Sequence, residues 1–119
     1  MRFITLDNPY IKSTFLAYGC THREFIAYIN QHHDAKEEYE FAVGTVFQSE
    51  VVKGVKAFYI WIDQSKIKKK QRVFLVHELM HLVHALMDYV GMELNDETDE
   101  AYAYLQDSFY EQITNHLKL

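Results

Sequence analysis

From Val73 to Val90 the chain is apolar apart from His77, Glu78, His81, His84 and Asp88. The segment contains neither proline nor glycine, and its length suits a helix of several turns. Its apolar residues fall on nearly every side of that helix, so the spacing predicts a central helix covered around most of its circumference. Such a helix needs other layers to cover it. Polar side chains embedded in it also need partners, because burying them unpaired costs free energy. Ser65 is placed to cap this helix, and Gly91 is placed to end it in a left-handed conformation.

The rest of the chain supplies the covering layers. Thr21-His22-Arg23-Glu24 has the form of a capping box, and Phe25, Ile26 and Ile29 follow at helical spacing, which predicts a first helix over 21–33. Before it, Tyr10 to Tyr18 mixes β-branched and aromatic residues after Pro9, as a short strand does. Phe41–Gln48 and Val55–Ile62 form a predicted hairpin around Lys53-Gly54. Large apolar residues alternate onto both sides of Ala57–Asp63, so both faces of that strand are expected to be covered. A polar loop from Glu93 to Asp99 leads to a last helix carrying Ala101, Leu105, Phe109, Ile113 and Leu117. The expected architecture is α+β: a small sheet, made of the hairpin and one or two further strands, packed with a backing helix, the motif helix and a C-terminal helix. No repeat or linker divides residues 1–119, so a single domain is expected.

Composition narrows the classes of function. The chain is 49% hydrophobic and 15% aromatic, enough apolar surface for a packed core, and its net charge of -5 gives no general attraction to phosphate backbones or anionic membranes. Nucleic acid is therefore not an expected partner. The single cysteine, Cys20, permits no internal disulfide and reads as a small buried residue. The N-terminal residues lack the pattern of a secretory signal, and no uninterrupted apolar run reaches bilayer length, so a cytoplasmic protein without a membrane span is expected.

The chemistry concentrates in His77-Glu78-Leu79-Met80-His81. Residues four apart on a helix share a face about one turn apart, so both imidazoles can reach one metal ion. Zinc suits this donor pair, lowers the pKa of a bound water to about 7 and polarises a carbonyl. Glu78 lies about 100° round the helix from His77, where it can accept that water's proton as a general base. A catalytic zinc needs a third protein ligand and an open position. His84 lies seven residues beyond His77, about 10 Å along the axis, too far for one straight helix to bring all three histidines to one ion. The metzincin pattern requires glycine and histidine where this chain has His84 and Met87. Glu97 and Glu100, at the start of the last helix, remain as carboxylate donors, and Ala103 would allow that helix to approach the motif helix closely.

An HExxH motif followed about twenty residues later by Glu100-Ala101-Tyr102-Ala103 resembles the gluzincin metallopeptidases, the broad group that includes thermolysin. The chain as a whole is similar to their minimal members, among them small HExxH proteins encoded by phages and prophages. The resemblance implies a backing helix, a small sheet, an active-site helix and a glutamate helix. It implies one Zn2+ per chain held by His77, His81 and Glu100, with Glu78 as the base that drives water onto a peptide bond. It also implies a peptide or protein substrate held extended along one strand of the hairpin, either Phe41–Gln48 or Ala57–Asp63, and location in the host cytoplasm for a phage-encoded member. Many relatives carry Asp or Asn where this chain has Tyr104, which reads here as a core residue. Glu97 is the reserve ligand, and His84 reads as a core or ligand-supporting histidine.

A second function fits the same residues: a zinc-stabilised, non-catalytic binding, regulatory or assembly module, in which His84, Glu97 or His116 would close the coordination sphere. Lys66, Lys68, Lys69, Lys70 and Arg72 sit where positive charge opposes the helix dipole, and they read as a solvated face.

Overall fold

Four strands and three helices follow in the order β1 (Arg2–Thr5), β2 (Thr14–Tyr18), α1 (His22–His32), β3 (Gly44–Val52), β4 (Val55–Ile62), α2 (Lys68–Tyr89) and α3 (Asp99–Leu117). This computed structural model describes every residue except Lys53, and Val51 and Val52 as backbone only. The strands form one mixed sheet in the order β1-β2-β4-β3. β1 pairs antiparallel with β2, β2 parallel with β4, and β3 antiparallel with β4. The protein is thus α+β, with two long C-terminal helices.

β4 shows how the sequence dictates the layers. Ala57 to Ile62 are all buried, and successive side chains enter opposite cores. Phe58, Ile60 and Ile62 join Leu75, Leu79, Leu82 and Phe109 on the face covered by α2 and α3. Ala57, Tyr59 and Trp61 join Phe25, Ile26 and Ile29 of α1 on the other face. The expectation that both faces of this strand are covered is met, and each fully buried Leu or Phe contributes roughly 1.5–3 kcal/mol of transfer free energy. β2 and β4 run parallel, yet β2 leads into α1 on one face while β4 leads into α2 on the other.

α1 begins at the predicted capping box, with the Thr21 side chain accepting from the Glu24 N–H and the Glu24 side chain accepting from the Thr21 N–H. Strand β2 is shorter than the predicted Tyr10–Tyr18. The Asn8 side chain accepts from the Tyr10 and Ile11 N–H groups and donates to the Leu6 and Ile11 carbonyls, tying residues 8–11 into a turn. Of the predicted hairpin turn, Lys53 lies outside the described residues; Gly54 has φ +83, a conformation that favours glycine.

Two expectations about α2 are corrected. Ser65 does not cap it: the Ser65 N–H and hydroxyl donate to Asp63, the helix starts after Ile67, and the buried Gln71 amide donates to the Lys66 and Gln64 carbonyls to fix the entry. Nor is α2 covered all round. Gln71, Leu75, Glu78, Leu79, Leu82, Val83, Leu86 and Met87 form one buried stripe, while Val73, Val76, Met80 and all three histidines are exposed. The reason is geometric: the sheet lies beneath α2 and α3 beside it, and among the described residues no further element covers the outer side. No helix among the described residues is long and apolar enough to cross a membrane.

Candidate metal and hydrolytic site

On the open side of α2 the His77 and His81 Nε2 atoms lie 3.4 Å apart, with ring centroids 5.0 Å apart and planes inclined at 70°. His77 is well exposed, its side chain retaining 70% of its accessible surface. The i, i+4 spacing therefore does what the motif requires: two imidazole nitrogens converge on a point accessible from solvent. Two exposed imidazoles brought this close form a donor pair suited to a divalent metal of zinc type.

Glu78 lies beside the pair, on the buried side of α2. It belongs to the buried stripe, is 7% exposed, and its Oε1 lies 3.9 Å from His77 Nε2. Burial pushes its carboxyl above the ordinary carboxylate range, with His77 and His81 opposing that shift. Its position depends on strand β3. A Cβ added to Gly44 would sit 2.9 Å from Glu78 Cδ, 3.0 Å from Oε1 and closer still to Cγ. Glycine at this position lets the β3 backbone lie directly against the Glu78 side chain. Sequence reasoning did not single out Gly44, although a signal was present: a glycine within a run of strand-forming residues marks either a bulge or a close approach.

β3 is an edge strand with β4 as its neighbour, whereas β4 lies between β2 and β3. Of the two strands proposed to hold an extended peptide, β3 is the one with a free edge. A groove of about 470 Å³ runs between that strand and α2, lined by Gly44, Val46, Gln48, Glu78, His81 and Ala85. The histidine pair, the buried glutamate and an open strand edge thus meet in one place.

The carboxylates proposed as third ligand do not join them. Among the described residues no three His, Cys, Asp or Glu side chains converge as a metal-binding group. Tyr102, Leu105, Phe109 and Ile113 are the buried face of α3; Glu100 lies about 200° round the helix from Tyr102 and is exposed. Glu97 is exposed in the α2–α3 loop, its N–H donating to Asn95 Oδ1. His84, expected as a core or ligand-supporting histidine, is not in the core; it is exposed, with its ring edge-on to Tyr102 at 5.2 Å. Tyr104, also expected in the core, is exposed because it projects from the outer side of α3. His116 packs against Tyr18 of β2, 4.6 Å between ring centroids. The lysines at the start of α2 are exposed, as expected of a solvated face. Cys20 is half-buried, and that burial raises its thiol pKa.

Comparison with known protein families, with characterised proteins and with solved structures finds no match to this chain.

Proposed function

We propose that this chain is a zinc-dependent peptidase whose site is built from α2 and the edge of β3. One observation carries the reading: His77 and His81 converge beside the buried Glu78 at the free edge of β3. Zinc bound there supplies Lewis-acid activation of water and of the peptide carbonyl. The protein's own residues do the rest. His77 and His81 hold the ion. Glu78, screened from bulk water and raised in pKa, takes up the proton of the attacking water and can deliver it to the leaving amine. The unpaired backbone groups of β3 hold the substrate extended by adding it as a further strand.

Glu100 is the proposed third ligand on resemblance alone, because it stands apart from the histidine pair in this structure. Glu100→Ala decides its role. A loss of zinc affinity comparable with that of a histidine variant supports it, and an unchanged affinity removes it.

Hydrolysis is tested by incubating the zinc-loaded protein with unstructured polypeptides and following cleavage by mass spectrometry. Glu78→Gln should retain zinc and lose cleavage, and retained cleavage would remove Glu78 as the base. Among the described residues no third donor converges, which favours a second reading, a zinc-stabilised binding or regulatory module that does not hydrolyse. That reading gains if zinc binds at one ion per chain while no polypeptide tested is cut.

A further inference from the structure

Where β2 and β4 end, the chain departs to opposite faces of the sheet, β2 into α1 and β4 into α2. In open sheets with parallel strands, such a divergence leaves a crevice beyond the carboxyl ends of the strands, a recurrent place for ligands. Here it holds a cavity of about 450 Å³, which shares no lining residue with the groove at His81. That volume lies within the range of small-ligand sites.

The walls are aromatic, and they carry the Asp63 carboxylate. Trp61 of β4 stacks on His22 of α1 at 4.8 Å and 25°, and Tyr39 and Phe41 stand at the mouth, Phe41 81% exposed. The Arg23 guanidinium already lies 3.8 Å over the Tyr39 ring, so this rim accepts a cation within the protein itself. His22 adds no opposing charge. Its Nδ1–H donates to the Glu40 carbonyl, its Nε2 accepts from the Thr45 hydroxyl, and burial lowers its pKa. The Asp63 carboxylate lines the cavity, and two hydrogen bonds from Ser65 to Oδ1, with the Lys66 charge nearby, hold its carboxyl below the ordinary range.

The start of α1 also borders the cavity, but it does not form an anion site. Its capping box already occupies the Glu24 N–H, and the Glu24 carboxylate sits against the positive end of the helix dipole. We propose that this cavity binds an alkylammonium or guanidinium group, held by the Asp63 carboxylate and by Phe41 and the Trp61–His22 stack. The site is independent of the zinc reading, since neither His77 nor His81 lines it.

The test is an NMR titration of the full-length ¹⁵N-labelled protein with n-butylammonium, n-butylguanidinium, butyrate and the tripeptide acetyl-Ala-Lys-Ala-amide. Saturable shifts of the Trp61 indole N–H and the Gly19 N–H are expected with the cations and absent with butyrate. Asp63→Asn should weaken cation binding at least about tenfold. Phe41→Ala, at an exposed position that the fold does not need, should weaken it as well and serves if the Asp63 variant fails to fold. Tighter binding of the tripeptide than of butylammonium supports a polypeptide side chain as the natural occupant, and equal binding supports a small amine. Butyrate binding as strong as that of the cations overturns the proposal. So does cation binding unchanged in Asp63→Asn or, where that variant does not fold, in Phe41→Ala.

Discussion

Gly44→Ala probes the contact on which the site geometry rests. The added Cβ would lie 2.9 Å from Glu78 Cδ and 3.0 Å from Oε1, whereas ordinary packing begins near 3.4 Å. Either β3 must move away from α2 or the Glu78 side chain must leave its pocket. Forcing an extra carbon into a packed site costs about 1–3 kcal/mol. Gly44 lacks a positive φ, so replacing it also restricts the unfolded chain and returns about 0.4–1 kcal/mol. The net expectation is a loss of about 0–2.6 kcal/mol, read as the shift in urea midpoint at constant slope. Glu78→Ala removes the three atoms nearest to the new methyl group, Glu78 Cγ, Cδ and Oε1. In that background Gly44→Ala should be neutral or slightly stabilising, giving a coupling energy of about 1–3 kcal/mol. Equal destabilisation in both backgrounds would refute the contact. If the zinc reading also holds, Gly44→Ala should keep zinc bound through the untouched histidines while lowering kcat, because it displaces the base and not the ligands.

Three further outcomes are expected. Leu79→Ala, fully buried between α2 and β4, should cost about 2–5 kcal/mol in chemical denaturation, and a loss below 1 kcal/mol would contradict its place in the core. His22 has a lowered pKa because burial disfavours its charged form, so the unfolded chain binds its proton more readily. Its contribution to stability is present above the unfolded value of about 6.5 and is lost as pH falls below it; the fall in Tm between pH 7 and pH 5 should therefore be smaller in His22→Gln than in the unaltered protein. Zinc should raise Tm in proportion to the logarithm of its concentration above Kd, and His81→Ala should abolish that rise.

Much of the fold was legible because local and global signals agree. The Thr21–Glu24 capping box fixes the start of α1, and the apolar run from Ala57 to Ile62 identifies a strand covered on both faces. Two features escaped for physical reasons. β1 has four residues at a sheet edge, too few for periodicity to show. The apolarity of α2 on all sides suggested complete burial, but a sheet flanked by three helices leaves one side of α2 bare, so Val73, Val76 and Met80 are exposed. The histidines are open to solvent and need no metal to satisfy them; what favours a metal is their convergence, with Glu78 behind them. The i, i+4 pairing was readable because it depends on helix geometry alone. The position of Glu100 was not, because it depends on the rotation of α3 about its own axis, which the buried stripe of Tyr102, Leu105, Phe109 and Ile113 sets.

The central claim is that His77 and His81 together hold one zinc ion. Calorimetric titration of metal-free protein with Zn2+, repeated with the His77→Ala/His81→Ala double variant and checked by circular dichroism for folding, tests it directly. The account predicts one ion per chain in the unaltered protein and none in the folded double variant. Zinc binding of equal stoichiometry and affinity in both would contradict it.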